Sequence, residues 1–395
     1  MRTHFLSSQE RQETREFYES AFPEDSKEFV DFYYQWVVGE NDIFVADRLQ
    51  GDRYWNQAMV HINQHMLSVN GSRMAAPYLV AVATRPECRR QGIMHGMMES
   101  ALQDMYRRQY AFAFLMPANP AYYTGLGFRY FPNQPGVWQA EAMGAECGEF
   151  FRGMSWRQAG TQDIARMCPF ANQVLGQSFQ LSIFWEESYV KRLLAETAAE
   201  QGGVLLLEEG CALQGILAYG LEEGEEGQKT AEIKDILLSQ ELTLAMRAHL
   251  ESTGASISVS GHQESAGTSA SVSGNQESAG ASAEVQFQRC IQEAACRAAL
   301  PGCAISFPPM EMMVRILDLF TFVPLLRSNS PQTLHIEVQD DLIRSNCGPF
   351  DITLSPKGNR IGRPWGLPKG RKQIDIADLT EILLKDMPVS IHEWV

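Results

Sequence analysis

Residues 84 to 95, Thr84-Arg85-Pro86-Glu87-Cys88-Arg89-Arg90-Gln91-Gly92-Ile93-Met94-His95, have the make-up of an anion-binding turn. They follow an apolar run, Tyr78 to Ala83, and lead into a stretch with apolar side chains at helical spacing. A strand that hands successive backbone N–H groups to a helix N-terminus forms an anion cradle. Gly92 lets a ligand approach the main chain, and Arg89 and Arg90 add charge, so a diphosphate suits the turn. His61 and His65 are four residues apart, the spacing of zinc ligands on a helix. The residues between them, Ile62-Asn63-Gln64, read as strand with no adjacent glutamate, so no metal is expected.

The elements that must hold this turn can be read around it. Tyr78 to Ala83 reads as a buried strand. Ile93, Met94, Met97, Met98, Ala101, Leu102 and Met105 form one face of a helix. Ala111 to Met116 is a second apolar strand, and Pro117-Ala118-Asn119-Pro120 breaks the chain after it. The aromatic segment Tyr122-Tyr123-Thr124-Gly125-Leu126-Gly127-Phe128 comes next. Upstream, residues 9–38 carry two helical patterns, the first capped by Ser8. Phe29, Phe32, Tyr33, Trp36 and Val37 make an apolar stripe that reads as core, with Trp36 a candidate pocket wall. Asp42 to Ala46 and Met59 to Val69 read as strands.

Arg89-Arg90-Gln91-Gly92-Ile93 after an apolar strand resembles the acyl-CoA pyrophosphate loop of the GNAT N-acetyltransferase superfamily. Tyr123-Thr124-Gly125-Leu126-Gly127-Phe128 resembles that superfamily's Tyr-x-x-x-Gly-Phe signature. Met94 stands where GNAT enzymes usually have Gly or Ala. A bulky apolar residue there is a feature of the enhanced intracellular survival (Eis) acetyltransferases. The resemblance implies acetyl-CoA as co-substrate, without a metal. Its diphosphate would be held by Arg90, Gln91, Gly92, Ile93, Met94 and His95. Its pantetheine arm would pair with the backbone of Val82, Ala83 and Thr84, and Ala118 and Asn119 would flank the thioester. The resemblance further implies Tyr123 as general acid to the CoA sulfur, with Tyr122 its neighbour and competitor. The base would be the C-terminal carboxylate, here that of Val395, with His392 and Glu393 as fallbacks. Eis chains typically end in an aromatic residue, whereas this one ends in Trp394-Val395.

The resemblance to the Eis layout extends along essentially the whole chain. At 395 residues it suits two or three domains. The expected fold class is mixed α/β: tandem GNAT folds, each a mixed sheet flanked by helices, and a C-terminal sterol-carrier-protein-like (SCP2-like) α/β domain. The expected divisions are 1–150 (catalytic), 151–308 (a degenerate, cofactor-free copy) and 309–395 (SCP2-like). The copy has helices over 163–167 and 186–200, strands at 204–207, 213–219 and 231–238, and no Arg-Arg-x-Gly loop after its last strand. Within it, Ser258 to Gly267 recurs almost unchanged as Ser271 to Gly280. Residues 252–284 therefore read as a disordered insertion. Met313 to Leu326 reads as a helix. Leu334–Val338, 342–345 and 350–355 read as strands, and 375–383 as a helix.

Composition narrows the partners. The net charge of −15 argues against nucleic acid and favours a cationic amine, polyamine- or aminoglycoside-like or a lysine. No apolar run is long enough for a membrane helix, no signal-peptide core follows the start, and the eight scattered cysteines lack a Cys-x-x-Cys pair. A cytoplasmic location with free thiols is expected. Some Eis enzymes are hexamers, so a homo-oligomer is compatible with the resemblance. The alternative from another class is a non-catalytic lipid or small-molecule carrier using the SCP2-like domain.

Overall fold

The structure is a computed structural model and describes residues 2–50, 53–131, 138–139, 151, 153–224, 227–253, 291–308, 311–365, 370–385 and 387–391. The chain begins β1 (Arg2–Phe5), α1 (Lys27–Trp36), β2 (Asp42–Gln50), β3 (Arg53–Val69), β4 (Ser72–Thr84) and α2 (Ile93–Arg107). It continues β5 (Phe112–Leu115), α3 (Ala121–Thr124), β6 (Arg129–Tyr130), β7 (Trp138–Gln139), β8 (Met154–Gln158), α4 (Ile164–Ser178), β9 (Leu181–Ile183) and α5 (Glu187–Ala199). Then come β10 (Gly203–Glu209), β11 (Ala212–Glu223), β12 (Lys229–Leu238), α6 (Gln240–Thr253), β13 (Ala304–Phe307) and β14 (Met313–Ile316). Last are β15 (Gln332–Gln339), β16 (Gly348–Leu354), β17 (Arg360–Gly362), β18 (Lys372–Asp375), α7 (Ile376–Leu384) and β19 (Val389–Ser390).

Two compact units result, and neither is contiguous. Residues 1–136, 175–200 and 310–395 make one; 137–174 and 201–309 make the other. In the first, the sheet runs β1-β2-β3-β4-β5-β14-β6. α2 covers one face: Met97, Met98, Ala101 and Leu102 pack on Val60, Leu79, Ala113 and Leu115. α1 covers the other, with Phe32, Tyr33 and Val37 against Ile43, Val45, Met59, Ala81 and Ala83.

Two expectations are corrected here. Residues 313–316 are strand, not the start of a helix: β14 lies antiparallel between β5 and β6, with Met313 opposite Leu115 and Tyr130. All four residues are buried, Arg315 among them, and a four-residue stretch is too short for a period that separates strand from helix. Residues 175–200 lie with the first sheet, not in a 151–308 block. β2 pairs with β3 only as far as Ile62, and β9 takes the same edge further on, with Ile183 opposite Leu67. A long strand's backbone groups need partners along its whole length. α5 packs its Ala195 and Ala199 on the α1 face. A smaller difference is that residues 344–346 form a 3-10 turn where a strand was expected. Ser7 rather than Ser8 caps the first helical turn, paired with Glu10 in a capping box.

The second unit's sheet runs β8-β10-β11-β12-β13-β7. Its pairings are antiparallel up to β12, parallel at β12/β13 and antiparallel at β13/β7. β1 through β5 and on to β14 show the same succession. A third sheet, β17-β16-β15-β18, belongs to the first unit with α7. Most of the repeat-bearing insertion lies outside the described residues. No helix of the described residues is long and apolar enough to cross a membrane.

A fragment of residues 1–150 lacks β14 and β9, so the β5–β6 slot and the second half of β3 lose their partners. It is expected to show no cooperative thermal transition by circular dichroism, in contrast to the full chain. A sharp transition in the fragment would mean that the sheet is self-sufficient.

Candidate active site

β4 and β5 pair at only two positions, Tyr78 with Phe114 and Leu79 with Leu115. β4 then runs on to Thr84 while the other chain turns away, so the edge of Val80–Thr84 on that side has no strand partner among the described residues. Within this stretch β4 carries one residue more than β3: Met59 pairs with Ala83, but His61 with Val80. The bulge is centred on Ala81, whose φ of 50° is left-handed. An alanine held there costs about 1–2 kcal/mol. Sequence periodicity gave no sign of this bulge. Val82, Ala83 and Thr84 follow directly.

Beyond Thr84 the chain makes a 3-10 turn at Pro86–Cys88 and enters α2 through Gly92, at φ 73°. Arg90 is also left-handed, at φ 61°. Arg89 donates to the Thr84 carbonyl at 3.1 Å and Gln91 to the Glu87 carbonyl at 3.0 Å, which closes the loop on itself. The α2 N-terminus has no side-chain cap and no acidic residue in its first turn. Among the described residues, the main-chain N–H groups of Gln91 to His95 find no acceptor; Gly96, donating to the Gly92 carbonyl at 3.0 Å, is the first that does. These open donors and the helix dipole suit an anion. Met94 packs partly buried against the α2 core.

Tyr123 belongs to the same core cluster as Ile93, Leu79 and Leu115, with Val82 and Met94 packed against it. Its ring meets Phe128 edge-on at 6.0 Å. Only 5% of the residue is exposed, and burial, helped by neighbouring Tyr122, pushes its phenol up to about 12. The hydroxyl therefore keeps its proton at neutral pH, and it has no hydrogen bond among the described residues. Tyr122, in contrast, is 60% exposed. Ala118 and Asn119 sit on the surface past β5. The Asn119 side chain caps the Ala121–Thr124 turn, accepting from the Ala121 N–H at 3.0 Å. Val395, His392 and Glu393 lie outside the described residues. The last described strand, β19, runs parallel to β9.

A cavity of about 440 Å³ opens between the end of α1, β3, β9 and α5. Trp36, Asn41, Asn63, His65, Glu186 and Arg192 are among its lining residues. Asn41 donates to Asn63 at 3.0 Å, and Arg192 lies 3.4 Å from His65 Nδ1. His61 stacks on Tyr33, whose hydroxyl is 2.9 Å from its Nδ1. Trp36 fits its reading as a pocket wall. Asn41, Asn63 and Arg192 were missed: α5 meets β3 across more than a hundred residues, and no local pattern announces that.

The second unit offers a contrast. β12 also bulges, between its pairings to Ala218 and Tyr219. It leads into α6 through Ser239, whose Oγ accepts from the Leu242 N–H at 3.1 Å, and Glu241 occupies the first turn. A capped, acidic helix start does not welcome an anion.

Residues 2–131 match the family model of the acetyltransferase (GNAT) domain. The chain carries a GNAT acetyltransferase domain. It is thereby an enzyme of the GNAT N-acetyltransferase class, a class that uses acetyl-CoA. No curated protein matches the sequence. Among solved structures, a GCN5-related N-acetyltransferase from Kribbella flavida is 13% identical with a TM-score of 0.64, covering 100% of this chain and 98% of that one. A probable N-acyltransferase from Enterococcus faecalis V583 is 14% identical with a TM-score of 0.62, covering 97% and 89%. Eis1 from Mycobacterium abscessus is 14% identical with a TM-score of 0.59, covering 97% and 90%. At these identities the likeness is one of fold, and it extends along nearly the whole chain.

Two outcomes follow from the GNAT domain's geometry. No atom lies within 4 Å of where a Gly92 Cβ would stand, so Gly92→Ala pays only for its φ, about 1 kcal/mol in urea unfolding. It is expected to weaken CoA binding by calorimetry; unchanged affinity would remove the loop from the site. Burial holds His61 neutral, its pKa pushed down to about 3. The unfolded chain therefore binds a proton there that the folded one does not, and stability falls as pH drops from about 6.5 towards 3. His61→Gln is expected to flatten this acid limb by up to about 1.4 kcal/mol per pH unit. An equally steep limb in both proteins would contradict the burial argument.

Proposed function

We propose that the protein transfers an acetyl group from acetyl-CoA to an amine, as an acetyltransferase of the Eis type. The observation that carries this is the uncapped start of α2 at Gly92, placed where β4 outruns its neighbour. In this reading Arg90 and the open amides from Gln91 to His95 hold the diphosphate. The free edge of β4 at Val82–Thr84 orients the pantetheine arm through main-chain groups, and Ala118 borders its far end. Asn119, whose side chain is spent on its own turn, contributes backbone. When bound, acetyl-CoA supplies an acyl thioester. Tyr123 holds a proton on Oη at neutral pH, and in this reading it passes that proton to the departing thiolate.

The amine's proton goes, in the same reading, to the carboxylate of Val395. A terminal carboxylate has a pKa of about 3.5, so it is an anion that also balances the acceptor's charge. Ser390 runs beside Ser182 in the direction of Phe184 and Glu186, both of which line the cavity, and this supports the reach. The cavity, walled by Trp36 and with Glu40 and Glu186 at its edge, is the acceptor pocket. Those acids and the acidic surface suit a cationic amine, polyamine- or aminoglycoside-like or a lysine. The segment from β15 to α7, a four-stranded sheet with a helix, takes the place of the SCP2-like domain, and the second unit that of the cofactor-free GNAT copy. A pure carrier would leave the open α2 N-terminus without a purpose.

A thiol-release assay over a panel of amines, with CoA calorimetry beside it, tests the proposal. Tyr123→Phe is expected to lower kcat by about 10²-fold or more with little change in CoA affinity. Full turnover would remove Tyr123 from the acid role. Residues added after Val395 should cripple turnover and spare CoA binding; an extended enzyme of normal rate would reject the terminal base.

A further inference from the structure

Arg315 is a buried charge whose partners lie far from it in sequence. It stands on β14, its side chain is 1% exposed, and no anionic ligand is needed to account for it. Its Nε donates to the Leu126 carbonyl at 2.8 Å, and one of its terminal nitrogens donates to the Ile316 carbonyl. The other donates to Asp340 Oδ1 at 2.7 Å. Asp340 is in turn fixed by the N–H groups of Leu342 and Ile343, each at 3.0 Å, and by Asn346 at 2.9 Å. Such a network keeps a guanidinium in one place.

What Arg315 grips is the turn that carries Tyr123. The Leu126 and Phe128 N–H groups donate to the Tyr123 carbonyl at 3.0 and 3.3 Å, so Leu126 is one hydrogen bond from the tyrosine's main chain. Gly127 shows how tight the fit is: a Cβ there would lie 2.7 Å from Arg315 Nε, and its φ is +84°. A second arginine works from the other side. Arg129 donates to the Thr124 carbonyl at 3.4 Å and to its neighbour Phe128 at 2.9 Å, and it leans on Asp378 and Glu381 of α7.

We infer that Arg315, anchored by Asp340, is a positioning residue for Tyr123: it sets the turn so that the phenol stays seated in the α2 core. This rests on the acid role proposed for Tyr123. The last third of the chain thus tunes a side chain of the first third.

Arg315→Lys keeps the charge beside Asp340 and loses the fork that reaches Leu126. With the full-length protein, spermidine and acetyl-CoA, it is expected to lower kcat by about 10- to 100-fold while KM for acetyl-CoA holds. In a Tyr123→Phe background it should cost nothing more. In 3-fluorotyrosine-labelled protein, the ¹⁹F resonance that Tyr123→Phe deletes should move or broaden, whichever amine is the substrate. An unmoved resonance, or an equal rate loss in both backgrounds, overturns the inference. If Tyr123→Phe keeps full turnover, the acid reading falls; a resonance that still moves then leaves Arg315 as the support of a non-catalytic tyrosine. Should Arg315→Lys fail to fold, the isosteric Asp340→Asn carries the same measurements with the same expected directions.

Discussion

A strand that outlasts its neighbour is the constraint on which this protein is built. β4 continues five residues past its last pairing with β5, and each main-chain N–H and C=O left on that edge needs a partner. A buried group without one costs about 1–3 kcal/mol. On its other side β4 stays paired with β3 through the one-residue register shift at the Ala81 bulge, while the β5 side is left open. α2, locked to the sheet by Met97, Met98 and Leu102, fixes a row of unspent amides at the end of the same strand. An extended ligand with an anionic middle would answer both demands, and the proposed site rests on these two unsatisfied features.

The second unit shows that these features are separable from the fold. Its sheet repeats the succession of strand directions, and its β12 bulges at a comparable place. What it lacks is the open helix start, because Ser239 spends its hydroxyl on the Leu242 N–H and Glu241 brings a negative charge. A cap and one carboxylate alter the local potential without altering the topology. The shared topology therefore does not decide whether an anion is welcome; the helix terminus does.

What the sequence made legible was local. The strand over Tyr78 to Ala83, the turn at Gly92, the helix from Ile93 and the second strand over Ala111 to Met116 each announce themselves through period and glycine placement; all four exist, the first strand longer (Ser72–Thr84) and the second shorter (Phe112–Leu115). The Gly127 requirement could be seen only as part of a motif; its physical cause is a guanidinium that arrives from position 315. β14, β9 and α5 were misplaced for one reason. Each finds its partner more than a hundred residues away, and a stretch as short as Met313 to Ile316 carries no period that would assign it a slot. The buried pair of Asn41 and Asn63 left no signal either, since nothing local to either asparagine says that the two side chains meet.

The discontinuity of the first unit looks expensive, since β6 and β14 pair although nearly half the chain separates them in sequence. Loop closure, however, grows only as the logarithm of length, about 0.6 kcal/mol per doubling. Here even that term shrinks. The intervening unit begins at β7 and ends at β13, and these two are themselves paired, Trp138 with Phe307 and Gln139 with Ser306. Once folded, it presents its two ends side by side, as a hairpin does. β14 can then reach its slot between β5 and β6 at nearly the entropy cost of a short connection. The burden falls on folding order instead of on stability: the β5–β6 slot has to wait, open, until the last third of the chain delivers β14 and, with it, Arg315.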